Sequence, residues 1–176
     1  MPRVNKKRLN INMNKEQTIA EIQNIFKKGY VPSRYDEPYN KSGGMVNCFE
    51  HACLNLKNNQ IEKLNLDWES VYVFDLFTAR YNVAEKTALR LNKMGLLMQP
   101  DKAMNLKLLK NQWRIAIFYE NSFHFLLQEK DGTWSAKKNW TTTVDHFETL
   151  PQTLYLFGTY NLHSVHIITN PYAERE

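Results

Sequence analysis

Only two cysteines, six glycines and six prolines occur among 176 residues, and no apolar run approaches the ~18 residues that a membrane helix requires. With 43% hydrophobic, 12% aromatic and 23% charged residues, that scarcity of chain breakers excludes collagen-like, low-complexity and disordered classes. The N-terminal stretch lacks the apolar core of a secretion signal. A soluble cytoplasmic protein without a membrane partner is therefore expected, with export by a non-standard route as the alternative. Cys48 and Cys53 lie five positions apart on one expected helix, where side chains diverge and a disulfide is geometrically poor. Free thiols in a reducing compartment are the consequence.

Acidic residues are absent from the first 15 positions, which hold Arg3, Lys6, Lys7, Arg8 and Lys15 and so the whole formal excess of +5. The remainder is electrically balanced. Residues 1–13 read as a basic, solvated and disordered tail, and 14–176 as one domain, a length that supports a single core. The balanced body gives no reason to expect a nucleic-acid partner, beyond contacts of the tail with phosphates.

Asn14 is placed to cap a helix over 15–28, with Ile19, Ile22, Ile25 and Phe26 at helical spacing and Gly29 as its stop. Residues 30–44 hold Pro32, Pro38 and the Gly43-Gly44 pair, a loop whose length is typical of functional segments. Just beyond this loop stands Cys48, in the first turn of a helix expected over 47–58 from Phe49, Ala52, Cys53 and Leu56. Residues 66–79 fit helix or strand equally, and Asn82 opens a further helix over 83–94 with Ala84, Ala88 and Leu91 facing inward. After Pro100 the chain turns to β-branched and aromatic runs at 113–119, 123–129, 133–138, 155–157 and 165–169. Helices first and antiparallel strands after predict an α+β domain, N-terminal helices packed on a C-terminal sheet.

A thiol in the first turn of a helix meets unpaired backbone N–H groups, which favour thiolate and make Cys48 a candidate nucleophile. Its base is sought among His51, His124, His146, His163 and His166. His124 sits in an apolar strand whose alternation places His124, Leu126 and Gln128 on one face. Asp131-Gly132 between two strand runs signals a two-residue hairpin turn. That register sets His124 opposite Asn139 on the same face, close enough to orient an imidazole.

A cysteine at a helix start, then a histidine on a strand, then Asn or Asp, resembles the papain-like cysteine peptidase superfamily. Lys138-Asn139-Trp140 resembles the Asn-bearing strand end of papain-type enzymes. Asn47-Cys48-Phe49-Glu50-His51-Ala52, and His124-Phe125 leading into Asp131-Gly132-Thr133-Trp134-Ser135, resemble small bacterial members. The resemblance covers these two segments. It implies a papain-like fold and a thiol hydrolase in which Cys48 attacks a carbonyl, His124 moves the proton and an acyl-enzyme forms, with a peptide, isopeptide or cell-wall amide as substrate and no cofactor. In relatives with the Asp-Gly-Thr-Trp-Ser run, Gly often stands at the place of Asn139 and Asn or Asp near Asp145, so the third residue stays open between Asn139 and Asp145. Papain-type enzymes carry Gln six positions before the cysteine to hold the oxyanion; this chain has Ser42 there, so Asn40 or backbone N–H groups at Cys48 must serve.

Two other readings compete. Zinc would draw on Cys48, His51, Cys53, His163 and His166, but Cys53 points about 140° from Cys48 on an α-helix and His163 and His166 fall on opposite strand faces, so no metal is expected. A non-catalytic interaction or effector protein on a peptidase-like scaffold accounts for nine Tyr, nine Phe and four Trp as well as a plain core does.

Overall fold

The computed structural model describes residues 15–32, 48–56, 82–120, 122–137, 144–156 and 158–175. The basic tail, the 33–47 loop with Asn40 and Ser42, the undecided 66–79 stretch and Asn139 lie outside the described residues.

Helix α1, Lys15–Lys27, buries Thr18, Ile22 and Phe26, one stripe at helical spacing. It stops where Gly29 takes φ +85 and its N–H bonds the Phe26 carbonyl at 2.9 Å, a left-handed geometry that favours glycine. Helix α2, Val83–Lys93, buries Val83, Thr87, Arg90 and Leu91. The expected helix around Cys48 is shorter and wider than its periodicity suggests: residues 48 and 49 lead into a single π-type turn, Glu50–Leu54, closed by the Asn55 N–H on the Glu50 carbonyl at 2.7 Å. Asn55 then turns left-handed at φ 43, which ends the element.

The strands are β1 (Leu97–Pro100), β2 (Gln112–Tyr119), β3 (Phe123–Gln128), β4 (Trp134–Lys137), β5 (Val144–Phe147), β6 (Thr153–Tyr155) and β7 (Thr159–Thr169). They form one antiparallel sheet in the order β1-β7-β2-β3-β4-β5, with β6 also paired to β7. The fold is thus α+β, as the element order predicts. Strand alternation splits the core into two layers. On one side Ile22 and Phe26 of α1, the π-type turn and Val83 and Leu91 of α2 pack on Trp113, Ile115, Ile117, Phe125, Leu127 and Ile168. On the other, Ala116, Phe118, Leu126, Trp134, Ala136, Leu154 and Val165 form a smaller cluster, flanked by Phe147 and Tyr160. No helix among the described residues is long and apolar enough to cross a membrane.

Two polar side chains tie these layers. Arg114, buried on β2, forms an ion pair with buried Asp101 at 2.8 Å and donates to Gln128 Oε1 at 2.6 Å and the Leu106 carbonyl. Asn170, just past β7, donates to the Phe26 and Tyr30 carbonyls at 2.9 and 2.7 Å, satisfying groups that the end of α1 leaves open.

Candidate functional site

The β3–β4 hairpin sets the geometry of the site. A two-residue Asp131-Gly132 turn pairs Leu127 with Ala136; the structure pairs Leu127 with Ser135 and Leu126 with Ala136, a register one residue shorter. The cause is a wider turn. The Glu129 N–H reaches the Thr133 carbonyl at 2.7 Å, Asp131 Oδ1 accepts from the Thr133 N–H at 2.9 Å, and Gly132 carries the left-handed φ of +88, as in three-residue hairpin loops. Slipping by one residue moves every side chain to the other face. The register over Leu126–Gln128 thus differs by one from that of a two-residue turn, and Asn139 itself lies outside the described residues. Asp145 pairs with Ala136 on β5, two strands from β3 and on the face that carries His124.

Cys48 is buried in the layer beneath α1. The backbone amides of Phe125, the residue after His124, and of Phe49 favour its ionised form. Cys48 and β3, from segments more than 70 positions apart in the sequence, thus share one buried cluster through Phe125. The side chains diverge, however. Phe125 turns into the layer of Cys48, while His124, its neighbour, turns into the other, where its ring lies 6.1 Å from that of Tyr160 and its Nε2 has no hydrogen-bond partner among the described residues.

Both groups are neutral at rest. Burial pushes the Cys48 thiol up to about 11, outweighing the amides that favour thiolate. A π-type turn of five residues adds little macrodipole to them, so the acidification expected of a helix start is not realised. Burial also lowers His124 to about 4, so its imidazole is neutral at neutral pH and a weaker base than one in water. Cys53 is raised by burial and by neighbouring Cys48.

A polar cluster that the motif reading passed over lies beside Cys48. Oγ of Ser135 is 2.9 Å from His51 Nε2 and donates to Glu129 Oε1 at 2.5 Å. Ser135 and Lys137 on β4 share the layer of the π-type turn, whose Glu50 and His51 are likewise buried. Burial lowers His51 to about 3, aided by the charges of Lys137, His124 and His146. The signal for this cluster was present: Ser135 and Lys137 are polar residues alternating with buried Trp134 and Ala136, which reads as one wet face until the partner layer is seen. His163 and His166 each bond Ser164 Oγ, at 2.8 and 2.7 Å, away from Cys48. Among the described residues no three His, Cys, Asp or Glu side chains converge as a metal ion would need.

Compared with family models, with curated proteins and with solved structures, the chain matches none.

Proposed function

We propose that this protein is a thiol hydrolase of the papain-like type, cleaving a peptide, isopeptide or related amide bond with Cys48 as nucleophile and His124 as base. The observation that carries the reading is that Cys48 and Phe125 belong to one buried cluster and that the Phe125 amide favours the Cys48 thiolate: the candidate nucleophile comes to β3 one residue from the candidate base, in the chain order and with the local motifs of that superfamily. Residues 14–176 would form its single domain. The orienting third residue is Asn139 or Asp145, of which Asp145 lies on the face of the sheet that carries His124.

The resting electrostatics shape the chemistry. Thiol and imidazole are both neutral, and their side chains lie on opposite faces of β3, so the reading requires the His124 ring to swing to the sulfur before the thiol proton passes to Nε2 as the sulfur attacks. The sulfur bonds the carbonyl carbon, negative charge develops on the carbonyl oxygen, and the amine leaves with the proton from His124. Water then attacks the thioester, giving its proton to His124 and releasing the acid and free Cys48.

Iodoacetamide labelling at pH 7, with site occupancy read by peptide mass spectrometry, tests this. Stoichiometric alkylation of Cys48, faster than Cys53 and lost in His124→Ala, is the expected result. Equal, slow labelling of both thiols removes the hydrolase reading and leaves a non-catalytic interaction domain.

A further inference from the structure

Lys137 is fully buried on a four-residue strand, with none of its surface exposed. It points into the layer that holds the π-type turn, because Ser135, two residues earlier on the same face, bonds His51 of that turn. A buried ammonium is costly unless an anion or a developing anion sits nearby. The titratable groups whose charges couple to it are Cys48, Glu50 and His51 at the turn; on the same face of the sheet stand His146 of β5, paired with Ser135, and Glu129, bonded to Ser135 at the hairpin. Among the acids, Glu50 and Cys48 are the two whose charges act on Lys137.

We propose that Lys137 is the charge partner of the Cys48 sulfur: its buried ammonium, shared with the Glu50 carboxyl, stabilises the thiolate as it forms. This inference rests on Cys48 being the nucleophile of the site. Lys137 bonds nothing covalently and transfers no proton; it acts through its field, which in an apolar layer is only weakly screened. The electrostatics agree in direction. Burial lowers Lys137, while Glu50 and Cys48 oppose that; Lys137 in turn favours the ionised forms of Cys48 and Glu50. Cys53, equally buried five residues on, is shifted by burial and by Cys48, which makes it an internal reference in the same molecule.

The pH profile of iodoacetamide alkylation, measured separately for Cys48 and Cys53 in the full chain, tests the assignment. In Lys137→Met the Cys48 midpoint rises by about one pH unit or more, which slows labelling about tenfold below the midpoint. Cys53 keeps its profile, and Lys137→Arg restores that of Cys48. An unchanged or lowered Cys48 midpoint overturns the proposal, as does a parallel change in both thiols, which is what a loosened fold produces. Should the Met variant fail to fold by circular dichroism, Lys137→Gln reads the same midpoint. The outcome is separable from the hydrolase reading: loss of that reading shows as indifference to His124→Ala, whereas loss of this one shows as indifference to Lys137.

Discussion

Ser135 Oγ lies 2.9 Å from Nε2 of His51, a residue 84 positions earlier in the chain, and in donating to Glu129 it links the π-type turn to the hairpin. All of Ser135 and nearly all of His51 are shielded from water, so the loss of this hydroxyl leaves polar atoms without compensation by solvent. Ser135→Ala is expected to destabilise the domain by about 1–3 kcal/mol, seen as a lower urea midpoint at unchanged slope. Ser135→Thr, which keeps the hydroxyl, should lose less. An Ala variant as stable as the parent contradicts the link.

Stability should fall in mild acid. His51 and His124 are held at about 3 and about 4 in the folded chain, below the ~6.5 of an imidazole in the unfolded chain. Between those values the unfolded chain binds more protons, so the contribution is complete above pH ~6.5 and is lost as pH drops through the folded values. Each unit of separation corresponds to about 1.4 kcal/mol. Urea midpoints at pH 7 and pH 5 check this, and His124→Leu, which binds no proton in either state, should flatten the dependence. Equal midpoints at both pH values would count against the buried neutral imidazoles.

Arg114 offers a test of the tie between β2 and the 101–111 segment. Removing it alone strands buried Asp101, and such a half-broken pair costs about 3–5 kcal/mol. Arg114→Met is expected to fall in that range by chemical denaturation. Adding Asp101→Leu should recover part of the loss, because the pair is then removed whole. A double variant weaker than the sum of the singles would refute that coupling.

The hairpin register rests on Gly132. Nothing lies within 4 Å of a Cβ built there, so Gly132→Ala meets no clash and its cost is the left-handed backbone alone, about 1–2 kcal/mol. Gly132→Asn should cost less, since Asn tolerates this conformation. Thermal unfolding of the two variants compares them; an Ala variant no weaker than Asn would argue against a left-handed residue at this position.

Residues with a strong local period were legible in advance. The stripe of Ile22 and Phe26 marks α1, and the aromatic and branched runs at 113–119 and 123–129 mark β2 and β3, because burial of one face imprints its period on the sequence. Strand β1 was missed, since Leu97–Pro100 is mostly exposed and ends in proline, the composition of an edge strand. Strand β5 was missed for a similar reason: Val144–Phe147 is short and mixed, paired through β4 and not through its own pattern. In α2 the expected Leu91 is buried and Ala84 packs against the core, while Val83, Thr87 and Arg90 are buried beyond the residues expected and Ala88 is only partly covered.

The site divides in the same way. Local order along the chain alone picked out Cys48 and His124 and the apolar face shared by Phe123, Phe125 and Leu127, because a motif and an alternation of two are properties of neighbouring residues. Turn width was settled by Asp131 bonding Thr133, and with it the register of Leu126–Gln128 on Trp134–Ala136. Whether a thiol ionises, and which cation reaches it, depends on solvent exclusion and on groups distant in sequence, so the neutrality of Cys48 and the presence of Lys137 beside it were decided by tertiary packing alone.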